Sequence, residues 1–356
     1  MNTIKLPEKF VKKLLNTDFY APILHALERF TTILNFDGKL FPEYTDHSAR
    51  HIQDVLHTAE NLINPDSYES ISPQDIYVLV IAICLHDSAM TFSWSNIRTL
   101  IQDDKYNGKV FGYKNQEEPP WSDLWDKYKT EFSNYKIEDL KDIVGDNIPL
   151  KGEVMDYFPC LEEEDLKSSQ LKVAGEFVRR HHARIAHVIS VHGFPGLEID
   201  ELFHKSKREH DNLAGLVARS HHYSMRDMYN RLQEDQKIEY RKCHLIFLMS
   251  VIRIADLMQV TSERTPLLTF KSKKFWSSFS ENEWRRHLSL LGYKDVAKDP
   301  SCLSFEIEPS ITSVSRLYSI RSLLNYFQYE LDMVWASLGE AYGDSCSGQV
   351  KLATVL

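Results

Sequence analysis

The chain has 356 residues, of which 43 % are hydrophobic and 26 % are charged, and its formal net charge at pH 7 is −9. This composition is ordinary for a globular protein and excludes disorder as the main state, because 18 Phe, 17 Tyr and 6 Trp can form a large core. The longest apolar run, residues 76–85, is too short to cross a bilayer, and the negative charge argues against general binding to nucleic acid.

Apolar residues recur with helical spacing along most of the chain. Ser72 and Pro73 are typical of a helix start, since serine is a good N-cap and proline fits the first helical position. The helix that follows is apolar almost all round, so we expect it at the centre of the fold. The predicted helices, in chain order, cover residues 7–35, 52–63, 74–86, 121–136, 162–191, 210–232, 236–260 and 315–340.

A β element is predicted only near the C-terminus. Residues 303–307 alternate as Leu-Ser-Phe-Glu-Ile, which is the pattern of a strand, and residues 267–270 are its candidate partner. The last ten residues are either a further strand or a tail. The sequence therefore predicts an all-α fold, a mainly helical bundle, with a small β element near the C-terminus.

Two segments interrupt the helical pattern. Residues 92–160 are polar and contain several Gly and Pro, yet Trp125, Tyr128, Phe132 and Tyr135 form a stripe on one face of a helix. We expect this helix to dock on the main body; the alternative is an aromatic platform for a ligand. Residues 265–310 form the second interruption, a segment of mixed character.

Ionisable side chains occur on the apolar faces of five predicted helices. A single inward histidine is usually a hydrogen-bonded core residue, and a single buried aspartate usually pairs with an arginine. Burying so many polar groups without partners would cost about 2–7 kcal/mol each. A shared divalent cation solves this, because imidazole and carboxylate groups are its usual ligands. The inward residues are His51, His86, Asp87, His182, His221 and Asp256.

The order of these residues resembles the HD-domain metal-dependent phosphohydrolases. DHSARHIQDVLHTAENL, ICLHDSAM, VRRHHARIAHVIS, VARSHH and IRIADLMQVTSER resemble successive motifs of that superfamily. The first and last look most like its bacterial HD-CE branch. The resemblance covers residues 40–265 and implies a helical metal-binding core there, with residues 92–160 as an insertion. It implies one extended domain over residues 1–356, with a mixed α/β segment at 266–356, and a fused Hsp90-like ATPase module as a candidate partner.

The resemblance also assigns roles to individual residues. His51, His86, Asp87 and Asp256 match the ligands of the core metal. His182 and His221 match histidines that bind a second metal or the substrate phosphate, and either could act as general acid. Their neighbours His47, His181 and His222 would replace them if the register is shifted by one. Arginines near these motifs suit phosphate binding, and the candidates are Arg179, Arg180, Arg253 and Arg264.

The sequence departs from the family pattern after the His-Asp pair. Ser88 and Ala89 stand where the family usually has an aliphatic residue and glycine. Alanine can replace glycine there only if its φ is negative. The ligands themselves are intact, so we expect a local change of backbone that keeps the metal and leaves the substrate class open.

The predicted function is hydrolysis of a phosphate ester or anhydride by a metal-activated water, with one or two ions of Mn, Mg, Zn, Fe, Ni or Co. The expected ligand is a small phosphorylated nucleotide, with a deoxynucleoside or nucleoside triphosphate favoured, and neither a membrane nor a nucleic-acid strand is expected as a partner. Three alternatives remain: a nucleotide-binding sensor with little turnover, a cyclic (oligo)nucleotide phosphodiesterase and a purely structural helical protein. Residues 92–160 would cap the pocket and select the substrate.

The expected location is the bacterial cytoplasm. The N-terminus lacks the apolar stretch and small-residue cleavage site of a signal peptide. Five widely spaced cysteines without a CxxC pair predict reduced thiols. A homo-oligomer is a further candidate assembly.

Overall fold

The computed structural model describes residues 3–36, 40–107, 118–296 and 299–343. Within these ranges the chain is mainly helical, with one two-stranded sheet near the C-terminus, so the predicted fold class is confirmed. The α-helices are α1 (Glu8–Leu14), α2 (Tyr20–Leu34), α3 (Ala49–Leu62), α4 (Pro65–Ser70), α5 (Pro73–Leu85), α6 (Trp94–Gln102), α7 (Trp121–Ser133), α8 (Lys141–Val144), α9 (Ser168–His192), α10 (Ile199–Leu202), α11 (Arg208–Ser220), α12 (Met225–Arg231), α13 (Glu234–Lys237), α14 (Leu245–Leu257), α15 (Leu267–Ser272), α16 (Ser278–Leu288) and α17 (Val314–Tyr342). The strands are β1 (Leu290–Val296) and β2 (Asp299–Ile307), and short 3₁₀ helices cover Ser88–Thr91, Asp104–Asn107, Val154–Tyr157, Lys205–Lys207 and Ser262–Arg264.

Helix α5 is the centre of the fold, as its all-round apolar sequence predicts. Ser72 caps its N-terminus by accepting from the Asp75 backbone N–H, and the Asp75 carboxylate in turn accepts from the Ser72 backbone N–H. Residues 76–85 are all buried. The helices α1, α2, α3, α9, α11 and α14 pack around it. Its C-terminal end is therefore surrounded by elements from distant parts of the chain.

Three predicted helices are split by short turns. Residues 7–35 form α1 and α2, separated where the Thr17 hydroxyl donates to Leu14 O and receives the Phe19 backbone N–H. Residues 210–232 form α11 and α12, and Ser224 caps the second of them. Residues 236–260 break at Arg241 and Lys242, which have φ values of 52° and 63°. The apolar spacing continues across these breaks, because the helices on both sides of each short turn bury apolar residues in the core. The spacing alone therefore did not reveal the turns.

The sheet confirms one predicted strand and corrects its partner. Residues 303–307 lie in β2, which pairs antiparallel with β1, and Tyr293 is opposite Phe305 with ring centroids 6.3 Å apart. Residues 267–270 are helical, so their prediction as the partner strand was wrong. Pro266 precedes that helix with a φ of −53°, and β1 is much closer to β2 along the chain, which favours a hairpin. The expectation for the last ten residues lies outside the described residues.

The aromatic helix in the 92–160 segment docks on the main body, as predicted. It is α7, and its residues Trp121, Trp125, Tyr128 and Phe132 are buried. The Trp125 ring lies 5.0 Å from the ring of Phe177 on α9. The aromatic face of α7 is thus covered by the protein's own core.

In the described ranges, no single helix is long and apolar enough to cross a membrane. One bent pair, Pro73–Thr91 with Trp94–Gln102 at 105°, reaches that length and composition only when both parts are counted together. The described thiols of Cys84, Cys160 and Cys243 are free.

Candidate metal centre

Five helices bring the inward histidines and aspartates to one place, at the C-terminal end of α5. His51 lies in α3, His182 in α9 and Asp256 in α14, while His86 directly follows α5 and His221 directly follows α11. The ligand atoms form two groups, each with all atoms within 4.8 Å of one another. The first group is His51, His86, Asp87 and Asp256, and the second is Asp87, His182 and His221.

Three residues of the first group are buried, Asp256 is half-buried, and the group is short of hydrogen bonds. Asp256 Oδ1 lies 3.3 Å from His51 Nε2 and 3.6 Å from His86 Nε2, and Asp87 Oδ2 lies 3.2 Å from His86 Nε2. Within the described residues, His51 Nε2, His86 Nε2 and Asp256 Oδ1 are buried and make no hydrogen bond. Buried polar atoms are rarely left in this state, so their convergence fits a cation held between them.

Backbone carbonyls set the tautomers of four histidines around the two groups. A carbonyl oxygen can only accept, so the Nδ1 atom facing it must carry a proton. In the neutral ring, Nε2 then presents its lone pair, and a metal-bound histidine usually donates such a hydrogen bond from its other nitrogen. The Nδ1 atoms lie 2.6–2.7 Å from their carbonyls, in the pairs His47 with Thr45, His86 with Ile83, His182 with Arg179 and His221 with Ala218.

The second group places two such lone pairs face to face. His182 Nε2 and His221 Nε2 are 2.9 Å apart, and both point toward Asp87 Oδ1, at 3.9 and 3.7 Å. Two lone pairs at this distance repel each other unless a proton or a cation lies nearby. Two imidazole nitrogens and a carboxylate oxygen that converge in this way are the donors that a divalent ion binds. The donor set and its spacing therefore fit a divalent ion.

Asp87 belongs to both groups through different oxygens. Its Oδ2 lies near His86, whereas its Oδ1 lies near His182 and His221. A carboxylate shared in this way is typical of two-metal sites, where the ions are about 3.5–4 Å apart. Each group could thus hold an ion, and Asp87 offers an oxygen to both.

In the first group, burial and the charges of neighbouring side chains shift the pKa values of His86, Asp87 and Asp256 in opposite directions. Burial would lower the pKa of His86, but the carboxylates of Asp87 and Asp256 outweigh it and hold that pKa well above the usual value. Burial would raise the pKa of each aspartate, and the imidazole groups hold both well below the usual range. Burial and then the charge of Arg264 lower the pKa of His51. A divalent ion would take over the compensating role of the proton on His86.

The three neighbouring histidines have different environments. His47 Nε2 lies 3.7 Å from Asp87 Oδ2, and burial with the charge of Arg264 lowers its pKa to about 4. The His222 ring lies 4.7 Å from the His182 ring, at the edge of the second group. His181 points away and packs between Trp121 and Phe177, with centroids 6.0 and 4.9 Å away. The register without a shift is thus the one that brings His182 into the cluster.

Two of the predicted phosphate-binding arginines form local ion pairs beside the site. Arg179 and Arg180 both bind Glu176, and Arg180 also donates to Tyr135. Arg264 lies at the centre itself, with one guanidinium nitrogen 3.9 Å from Asp256 Oδ1. Its Nε donates to the backbone carbonyl of Asp46 at 3.0 Å.

The contacts of Arg253 contradict the prediction that it binds the substrate phosphate. Its side chain is buried, and its guanidinium binds Glu330 of α17 and the carbonyls of Ser220 and Tyr223. These contacts use most of its N–H groups, so it holds protein elements together instead of facing the cluster. It does not pair with Asp256 either.

His287 is a residue near the site that the sequence patterns did not reveal. It lies in α16, outside the resembling motifs, and it is buried. Burial, then the charges of Arg264 and Arg286 and of nearby His47 and His51, lower its pKa to about 3. Its position three residues after buried Trp284 was the available signal.

Ser88 and Ala89 fit the backbone after the His-Asp pair. They begin the 3₁₀ helix Ser88–Thr91, where the Ser88 hydroxyl donates to Leu85 O at 2.8 Å. Among the described non-glycine residues, only Arg241 and Lys242 have a positive φ. Alanine is therefore unstrained in place of the family's glycine.

A model of the HD-CE family matches residues 41–333, so the chain belongs to that family. No curated protein and no solved structure matches the chain at a significant level. Family membership and the buried cluster are together consistent with an HD-type metal-dependent hydrolase.

Proposed function

We propose that this member of the HD-CE family is a phosphohydrolase that uses bound divalent ions to cleave a phosphate ester or anhydride of a nucleotide. The observation that carries the proposal is the position of Asp87, whose two oxygens face two separate sets of histidine lone pairs. His51, His86, Asp87 and Asp256 would hold one ion, and Asp87, His182 and His221 would hold the other. Ions there would supply Lewis acidity and lower the pKa of a water molecule.

The chain's own side chains then orient the substrate. Arg264 is positioned to bind a phosphate oxygen, because its Nε is fixed by Asp46 O while a terminal nitrogen faces the cluster. His47 and His287 border the same space, and both have lowered pKa values caused first by burial. With pKa values of about 4 and about 3, both rings are uncharged at neutral pH and add no positive charge beside the aspartates.

A nucleotide is the substrate class that best suits this site. The HD-type hydrolases that the chain resembles act on phosphate groups, and Arg264 would supply a positive charge to neutralise one. The net charge of −9 offers no support for binding a long nucleic-acid strand. We favour a deoxynucleoside or nucleoside triphosphate, and the cyclic nucleotides are the competing class.

The experiment combines elemental analysis with turnover of a nucleotide panel. The purified full chain is loaded with Mn²⁺, Zn²⁺ or Fe²⁺, and metal content is measured after gel filtration. Release of phosphate or nucleoside is then measured for deoxynucleoside and nucleoside triphosphates, monophosphates and cyclic nucleotides. We expect up to two equivalents of metal and turnover of one class.

Adjacent histidines provide a matched control. His182→Gln should remove the second ion, whereas His181→Gln should leave both, because only His182 faces Asp87. Asp87→Asn should weaken both ions. No metal under any loading condition would contradict the proposal, and metal without turnover of any nucleotide would favour the sensor function.

A further inference from the structure

A cleft of about 760 Å³ lies beside the metal centre, and its volume is in the usual range for a small-molecule site, about 300–1,000 Å³. Four segments line it: residues 40–44 before α3, residues 135–146 of the insertion, the N-terminal half of α9, and residues 277–280 at the start of α16. Two of these segments lie in the parts of the chain that interrupt the helical pattern.

Two residues connect the cleft to the metal centre. Tyr44 lines the cleft, and its ring lies 6.3 Å from the ring of His47. Arg179 also lines the cleft, and its carbonyl oxygen accepts the Nδ1 proton of His182. Burial raises the pKa of Tyr44 to about 12, and the nearby Arg179 guanidinium partly opposes this. Tyr44 and Arg179 therefore belong both to the wall of the cleft and to the immediate surroundings of the two ion groups.

A buried ion pair joins the walls of the cleft. Lys172 Nζ lies 2.9 Å from Glu43 Oε1 and donates to Val144 O at 2.8 Å. The other carboxylate oxygen of Glu43 accepts the Ser277 backbone N–H at 3.0 Å. Gly145, at a φ of +110°, lies so close to Trp276 that a Cβ would be 2.6 Å from the Trp276 carbonyl oxygen. The insertion and the C-terminal segment thus form one wall with the protein core.

The charges of the lining are balanced. It contains five carboxylates and four cationic side chains, and Glu176 already binds both Arg179 and Arg180. A polyphosphate or a nucleic-acid strand would need a clear excess of positive charge. The aromatic residues Tyr135 and Phe279 instead offer faces to a flat, uncharged ring system, and Phe279 is 71 % exposed.

We propose that this cleft binds the nucleoside part of the substrate, with the base against its aromatic side chains and the phosphate at the metal centre. The inference rests on the proposed function and makes Tyr135 and Phe279 determinants of specificity. It assigns residues 135–146 and 277–280 to substrate selection, while the ions depend on the helical core.

The test measures binding apart from catalysis. The full chain, with its metal retained, is titrated calorimetrically with ribonucleoside and deoxyribonucleoside 5′-monophosphates and with inorganic phosphate. We expect one base to bind best and Phe279→Ala to weaken its binding about fivefold or more, since a base stacked on an aromatic ring is lost. Tyr135→Ala should act similarly, whereas Tyr135→Phe, which keeps the ring, should not.

Leu268→Ala is the matched control, because Leu268 is an exposed apolar residue of the same C-terminal segment that does not line the cleft. Its affinity and base preference should equal those of the wild type. With a turned-over nucleotide, the cleft variants should raise KM with little change in kcat or metal content.

The outcomes separate the two proposals. Nucleotide hydrolysis with affinity, KM and base preference unchanged in Phe279→Ala and Tyr135→Ala would overturn the cleft assignment and leave the proposed function standing. Binding of a monophosphate that depends on Phe279, without hydrolysis of any nucleotide, would do the reverse. Binding of no monophosphate, or of inorganic phosphate equally well, would also overturn the assignment.

Discussion

Replacing Arg253 with methionine should destabilise the protein and lower the affinity of the second group, Asp87, His182 and His221, for its ion. The Arg253 guanidinium donates to Glu330 at 2.5 and 3.1 Å, to Ser220 O at 2.6 Å and to Tyr223 O at 2.5 Å. The two carbonyls belong to the turn that carries His221. The substitution removes this support and leaves the Glu330 carboxylate buried without its cation.

The expected magnitude follows from the burial of the pair. The Arg253 and Glu330 side chains are only 4 % and 5 % exposed. Breaking such a pair costs about 3–5 kcal/mol of unfolding free energy, because one charge stays buried alone. The double variant Arg253→Met with Glu330→Leu should recover most of that loss. It should not recover the second ion, whose affinity should fall about 10–100-fold because the turn that holds His221 loses its hydrogen bonds.

Urea denaturation followed by circular dichroism gives the free energies, and metal analysis gives the ion affinities. The control is Arg226→Met, because Arg226 pairs with another glutamate of α17, Glu340, but the two side chains are 40 % and 50 % exposed. That substitution should cost at most about 1 kcal/mol. Equal losses for Arg253→Met and Arg226→Met would refute the argument from burial, and normal second-ion affinity in Arg253→Met would refute the positional role.

Three further predictions concern separate parts of the molecule. Burial raises the pKa of Asp211 to about 7, although a hydrogen bond from Tyr77 opposes this, so the folded state holds that proton more tightly than the unfolded state. The resulting stability is present below about pH 4 and is lost as the pH rises through 7. The unfolding free energy of Asp211→Asn, relative to that of the wild type, should therefore increase between pH 5 and 8, by at most about 4 kcal/mol. Equal pH slopes of the two proteins in urea denaturation would contradict this. Gly215→Ala places a Cβ against the Ser190 side chain where α11 crosses α9, so it should lower the unfolding free energy by about 1–3 kcal/mol, and a stabilised variant would show that the helices can separate. Arg264→Ala should raise KM about tenfold or more with metal content retained, because a charge-assisted hydrogen bond to phosphate is lost; unchanged kinetics would remove Arg264 from the phosphate site.

The cluster was accessible to sequence analysis because helical spacing determines which way a side chain points. His51 lies in line with Val55 and Ala59, and all three are buried in α3. The same reasoning applies to His182 and Asp256, whose helices also turn apolar faces to the core. Each helix could be analysed alone, since its own period carries the information. The separation of the ligands into two groups depends on distances between helices, which periodicity does not contain.

The arginines show where local reasoning fails. Position in sequence near a ligand was the only basis for proposing all four as phosphate contacts. Arg264 does face the cluster, but the partner of Arg253 is 77 residues away in α17. His287 likewise reaches the site from a segment outside the motifs. An ion pair between distant elements leaves no mark in the pattern of either one.

The end of α11 joins several of these features. Residues 210–232 have continuous helical periodicity, yet α11 ends at Ser220, just before His221. A helix that ends inside a protein leaves carbonyl groups that need donors. Arg253 supplies them for Ser220 and Tyr223, and the Ala218 carbonyl accepts the Nδ1 proton of His221. The helix break, the buried arginine and the orientation of the histidine are therefore one arrangement, in which the Ser220 carbonyl accepts both the Tyr223 backbone N–H and the Arg253 guanidinium.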